Sequence, residues 1–145
     1  MKILDLLQDQ GRIPFSDIAH KVGLTPPSIM ERIKKMEDKG IIKKYTAIID
    51  AKMLGKDILA FIGVYISHPR YIGDFEKEIT KYEDILECHH VTGEYTLLLK
   101  VKTKNTTTLE ALIKNIRSMK GITRTFTIIS LSTKKEGTKI NLKTS

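Results

Sequence analysis

The stretch TPPSIMERIKKM (25–36) places Ser28, Glu31, Arg32 and Lys35 on one side of a helix and Ile29, Ile33 and Met36 on the other. Thr25 is a good N-cap, and Pro26 and Pro27 fit the first turn, where a missing N–H costs nothing. An arginine on an exposed helix face can make a bidentate contact with guanine, and a lysine can meet a phosphate. Hydroxyls and free N–H groups at a helix start also receive phosphate oxygens. Thr25, Pro27, Ser28, Arg32 and Lys35 are therefore a candidate DNA-contact set. Lys34 sits one residue off that face, and Glu31 is expected to pair within the helix with Lys34 or Lys35.

Other residue types invite chemistry with less support. Cys88, His89 and His90 are adjacent, but neighbours in a strand point to opposite faces, so only Cys88 and His90 could share an ion. No second ligand cluster accompanies them, and neither metal nor cofactor is expected. Cys88 has no identifiable base or orienting group, so no catalytic set is assigned. Gly93-Glu94, between two apolar runs, is first a two-residue hairpin signal.

The elements that must position these residues follow from periodicity and punctuation. Ile3, Leu4, Leu6 and Leu7 predict a short helix ending before Gly11. Phe15, Ile18, Ala19 and Val22, spaced i, i+3, i+4, i+7, predict a second helix closed by Gly23, with Leu24 under the turn. The third carries the basic face, and the pair across Gly23 is a helix-turn-helix arrangement. After Gly40, IIKKYTAIID (41–50) reads as a strand, and AKMLGK as a turn or linker. Strand 58–67, helix 74–81 with Phe75, Ile79 and Tyr82, strands 85–92 and 95–103, helix 106–119 and strand 122–132 follow. In the last strand Thr123, Thr125 and Thr127 share one face and Phe126 and Ile128 the other. The expected fold is α+β. A three-helix domain of winged helix-turn-helix type (1–50) leads through a hinge (51–57) to a ferredoxin-like βαββαβ sandwich (58–133). A polar tail (134–145) follows, expected to be mobile, with Ile140 and Leu142 able to add an edge strand.

The chain has 145 residues and a net charge of +8, which suits a polyanionic partner. Residues 1–45 and 134–145 each carry +3, and the longer middle only +2. One cysteine excludes an intramolecular disulfide framework and fits a reducing compartment. No apolar run reaches ~18 residues, so no membrane span is expected. The opening MKILDLLQDQGR lacks the uninterrupted apolar run of a signal peptide, and the expected location is cytoplasmic.

Several pieces, in order, resemble the Lrp/AsnC (feast/famine) family of transcriptional regulators. They are LQDQGR, DIAHKVGLTPPSIMERIKKMEDKGIIKKYTAIID, AKMLG, VTGEYTLLLKV and GITRTFTIISL. The resemblance implies a sequence-specific DNA-binding regulator, not an enzyme. It further implies a homodimer built through the C-terminal sandwiches, often associated into octamers, with a small amino-acid effector between dimers. On matching positions the effector region falls at Thr92, Gly93, Glu94, Tyr95 and Thr96, with Thr125 and Thr127 nearby. Two departures stand out: Pro14 replaces the usual cap before the second helix, and Thr96 replaces a common second acid in the turn.

Two alternatives share parts of this pattern. A tetrapyrrole-pathway decarboxylase with a degenerate helix-turn-helix would cast His89, His90 and Arg70 as acid and cation; the intact basic face argues against it. An amino-acid sensing or assembly module without DNA binding would retain DNA weakly and without salt sensitivity.

Overall fold

The computed structural model of the chain describes residues 1–143, which form two compact units: residues 1–48 with the tail from Lys135, and residues 49–134. In the first unit, helices α1 (Lys2–Asp9), α2 (Phe15–Val22) and α3 (Pro26–Asp38) enclose Ile3, Ile13, Ile18, Ala19, Ile29 and Ile33. Leu6, Leu7, Val22, Leu24, Met36 and Ile42 pack around that cluster. Each helix is short and amphipathic, so its stability comes from this shared apolar contact. Phe15, expected on the inward face of α2, is instead exposed, because it is the first helical residue and lies beyond the core. Gly23 ends α2 in the left-handed conformation (φ 78°), where its N–H donates to the Ala19 carbonyl. Pro14 precedes α2 without any side-chain cap bond.

Two expectations are corrected here. The segment IIKKYTAIID (41–50) is not a strand: it runs without any ladder. Ile48 is 73% exposed, with Tyr45 and Ile49 also open to solvent. β-Propensity reflects fit to a neighbouring strand, and a single chain supplies none at this place. Among its described residues the tail forms no strand either, nor does it stand free at Lys139 and Ile140. Gln8 holds it against α1 in both directions, its Nε2 donating to the Ile140 carbonyl (3.0 Å) and its Oε1 accepting from the Ile140 N–H (2.7 Å). Lys139 adds an ion pair with Asp9 at 2.7 Å. A side-chain amide carries the same donor and acceptor as a peptide group, so one glutamine substitutes for a strand partner.

The second unit runs β1 (Ile58–Ile66), α4 (Ile72–Ile79), β2 (Ile85–His90), β3 (Leu97–Thr103), α5 (Thr106–Arg117) and β4 (Ile122–Ile129). The sheet has the order β2-β3-β1-β4 and is antiparallel throughout, the ferredoxin-like split βαβ arrangement. Ala60, Ile62, Val64 and Ile66 of β1 and Leu97, Leu99 and Val101 of β3 meet Phe75 and Ile79 of α4 and Leu109, Leu112 and Ile116 of α5. Both helices cover this one face. On the other, among the described residues, Tyr65, Phe126 and Ile128 remain 42–54% exposed.

The stretch before β1 is tied to this unit. Asp50 Oδ1 accepts from the Lys52 and Met53 N–H groups, closing the turn at Lys52–Leu54, and Gly55 (φ 82°) ends it. Lys56 Nζ then pairs with Asp84 at 2.7 Å. Asp84 also receives the Thr103 hydroxyl at 2.7 Å, and Thr103, fully buried, contacts the Thr108 hydroxyl at 2.7 Å.

Candidate nucleic-acid and ligand interfaces

The candidate DNA-contact face is built by α3. Thr25 Oγ accepts from the Ser28 N–H at 3.4 Å, and Pro26 and Pro27 occupy the first two helical positions. Ile29 and Ile33 are buried, fixing the helix rotation and leaving the remaining side chains outward. At 3.6 residues per turn, Glu31 stands opposite the buried stripe, and Ser28, Lys35 and Arg32 occupy one flank. Ser28 is half-buried; Thr25, Pro27, Arg32 and Lys35 are exposed. Glu31 pairs with Lys35 at 3.3 Å, and Lys34 turns to Asp38 at 3.5 Å. Arg32 has no ion-pair partner among the described residues, so its guanidinium is available without breaking a contact. Exposed Met30 lies on the other flank, and exposed Lys43 and Lys44 follow shortly after the helix.

The candidate effector residues lie in the second unit, at the β2–β3 connection and on β4. That connection is longer than the two-residue hairpin expected: residues 91–96 separate the strands, closed by the Val91 N–H donating to the Thr96 carbonyl at 3.1 Å. The reason is tertiary. Besides that carbonyl contact within the hairpin, Thr96 bonds β1, its N–H donating to the Val64 carbonyl (3.0 Å) and its hydroxyl accepting from the Ile66 N–H (3.3 Å). Tyr95 lies flat over Gly63 of β1, where a Cβ would stand only 2.7 Å from the ring. Its ring also stacks on Phe126, centroids 5.9 Å apart. Gly93, at φ 103°, takes the conformation that a side chain would resist.

Not all expected effector residues converge. Register pairs Thr125 with Val64 and Thr127 with Ile62, both fully buried, so these threonines are half-buried on the helix-covered face. Phe126, paired with Gly63, belongs to the opposite face beside Tyr95. The alternation along β4 was legible, but its apolar side is the exposed one.

Arg124 is the residue that sequence reasoning missed. Its Nη2 pairs with Glu94 Oε1 at 3.0 Å, and its guanidinium lies 5.5 Å from the Tyr65 ring centroid and 5.9 Å from that of Tyr95. Tyr65, Gly93, Glu94, Thr123 and Arg124 line an open cleft of about 610 Å³. No local pattern links residues thirty positions apart; the closest signal was one acid in the turn and one arginine in a threonine-rich strand.

The Cys88–His89–His90 run resolves into separate roles. His89 Nε2 is 2.8 Å from Glu87 Oε1, whose other oxygen is 3.3 Å from Lys100. Cys88, paired in register with buried Leu99, faces the helices; burial, and then the charge of Glu76, pushes its thiol pKa up. A thiol held protonated is a poor nucleophile. No helix among the described residues is long and apolar enough to cross a membrane.

Residues 1–43 match the winged helix-turn-helix DNA-binding family, and residues 59–140 match the Lrp/AsnC ligand binding domain. The HTH-type transcriptional regulator FL11 of Pyrococcus horikoshii is 39% identical over 142 residues, spanning 98% of this chain and 93% of that protein. The regulatory protein AsnC of Haemophilus influenzae is 34% identical, spanning 90% and 87%. Among solved structures, a transcriptional regulator of Neisseria meningitidis in complex with L-Met superposes with a TM-score of 0.92 at 27% identity, covering 97% of this chain and 93% of that one. The helix-turn-helix, the sheet order and the matches across both units lead to one conclusion: the chain belongs to the Lrp/AsnC family of DNA-binding transcriptional regulators.

Proposed function

We propose that this regulator reads DNA with the α3 face formed by Thr25, Pro27, Ser28, Arg32 and Lys35, and that it acts as a homodimer controlled by a small amino acid. The observation that carries the DNA reading is Arg32, an exposed guanidinium on a capped helix with no competing carboxylate partner among the described residues. Lys35 contributes after releasing Glu31, at small cost because both are exposed. Two copies related by a two-fold axis would set two such helices in successive major grooves, ~34 Å apart. Two exposed features support the second copy: the uncovered sheet face with Tyr65, Phe126 and Ile128, and the β-prone but unpaired segment 41–50. Further association of dimers into octamers would suit DNA wrapping.

The effector reading rests on the turn Thr92–Thr96 and its cleft, together with the L-Met bound to the Neisseria relative. An effector then shifts DNA affinity only by as much as it discriminates between assembly states. Transcriptional regulators among the relatives support a regulator without catalytic activity, acting in the cytoplasm where its DNA partner lies.

The direct test selects fragments of the source genome bound by the purified protein and titrates them against salt. Affinity should fall steeply with salt, as phosphate contacts release counterions. Arg32→Ala should weaken binding to the selected sequence by about 1–3 kcal/mol without changing the oligomeric state. Unchanged affinity in the variant would remove Arg32 from the contact face, and retention insensitive to salt would remove DNA from the function.

A further inference from the structure

We infer that the C-terminal tail is a strap that gives the DNA-reading unit a second attachment, and that Gln8 and Asp9 are the positioning residues that fasten it. This role presupposes the DNA and dimer reading above and supplies what holds each reading head at its spacing. The first attachment is the chain between α3 and β1. Ile42 still packs on the first core, and the turn closed by Asp50 belongs to the second unit. Residues 43–49 between them are exposed and unpaired within the chain. A link of that kind limits how far a head can stray, but not how it is turned.

The tail closes the loop. Ser130, next after β4, donates its N–H to the Leu59 carbonyl of β1 at 2.8 Å, so the chain leaves the sheet at a fixed point. Residues 131–138 then lead to Lys139 and Ile140, which α1 grips. At ~3.5 Å per residue that span cannot exceed ~30 Å, which bounds the distance from Leu59 to Gln8. Residues 131–140 are all exposed, Ile140 at 67%, so burial does not hold this stretch. The hold is polar and aimed at the backbone. Gln8 bonds both the Ile140 N–H (2.7 Å) and its carbonyl (3.0 Å), and Asp9 pairs with Lys139 at 2.7 Å. Asp5, one turn back on α1, adds its charge on the same ammonium. Links at two separate places, one after α3 and one on α1, restrict the rotation of the unit as well as its reach. Each contact is solvent-exposed and weak alone, so single substitutions open the strap without touching either core.

The test uses the full-length protein and two DNA duplexes: the selected two-fold site, and the same site with two base pairs inserted between its halves. Each inserted pair turns one half-site by ~35° and moves it ~3.4 Å. The wild type should lose about tenfold in affinity or more on insertion, whereas Gln8→Ala and Asp9→Lys should lose about threefold or less. Because each protein is compared with itself, the added charge of Asp9→Lys cancels from the ratio. Combining Asp9→Lys with Lys139→Asp restores the ion pair in reverse and should return the wild-type discrimination; a merely structural role for α1 predicts no such rescue. Without DNA, amide hydrogen exchange across residues 135–143 should be about threefold faster or more in Gln8→Ala than in the wild type, with thermal melts checking that the fold is kept. Single variants that discriminate like the wild type, a reversed pair that stays permissive, or equal exchange in both proteins would each overturn the strap and leave the DNA reading standing. If the protein selects no DNA at all, that reading fails and the positioning role fails with it.

Discussion

Gly121 sits just beyond α5 at φ 87°, and a Cβ built there would stand 2.4 Å from the Tyr71 ring. That ring is flanked by the Arg70 guanidinium at 4.8 Å and the Lys120 ammonium at 5.7 Å. Gly121→Ala combines backbone strain with displacement of Tyr71, and should lower stability by about 1–3 kcal/mol in urea denaturation. Asp84 supplies a pH-dependent counterpart. Burial pushes its pKa up, but hydrogen bonds from Lys56 and Thr103 and the Lys56 charge outweigh that, leaving the carboxyl below its ordinary 3.8. A group whose folded pKa is depressed stabilises the fold above its unfolded pKa and loses that contribution as pH falls through the folded one. The stability gap between wild type and Asp84→Asn should therefore be constant at neutral pH and shrink below about pH 4. A gap independent of pH would mean that the carboxylate charge does not matter there.

Helices α3 and α5 are capped by different means, and the difference should be measurable. Asn105 accepts from the Thr108 N–H at 2.9 Å while the Thr108 hydroxyl accepts from the Asn105 N–H at 3.1 Å, a reciprocal box. Thr25 makes one long bond, 3.4 Å, and two prolines in the first turn leave fewer N–H groups to satisfy. Asn105→Ala should cost about 1–2 kcal/mol, and Thr25→Ala only about 0.5 kcal/mol, by chemical denaturation followed by circular dichroism. Thr25→Ala would then reduce DNA affinity with little loss of fold, separating a contact role from a structural one.

At the scale of the whole molecule, the uncovered sheet face is the place to test the proposed dimer. Phe126→Asp sets a charge beside Tyr95 and Gly63, on the face that a second copy would cover. Light scattering should show a dimer or larger species for the wild type and a monomer for the variant. Loss of the dimer should also weaken DNA binding, because one helix pair presents too few phosphate and base contacts to select a site. A variant that stays dimeric would transfer the interface to the exposed segment 41–50.

Features that depend on residues close in sequence were legible from the chain by itself. Gly23 at the helix turn, the Thr25 cap, the 3.6 and 2.0 periodicities and the α+β order are all local, and each is set by sterics or hydrogen bonds within a few residues. So was the pairing of Glu31 within its own helix, with Lys34 or Lys35; the structure selects Lys35. Only tertiary structure decided what faces what. Tyr95 packs on Gly63 and Thr96 bonds β1, which goes with the longer turn, and register set Thr125 and Thr127 behind the sheet from the turn they were expected to join. Gln8 captured the tail across more than a hundred residues, and segment 41–50, with strand composition but no partner, stayed unpaired. The Glu94–Arg124 pair belongs with these: it joins the β2–β3 turn to strand β4 only because β1 lies between β3 and β4, and strand order is a property of the whole unit that no local pattern encodes.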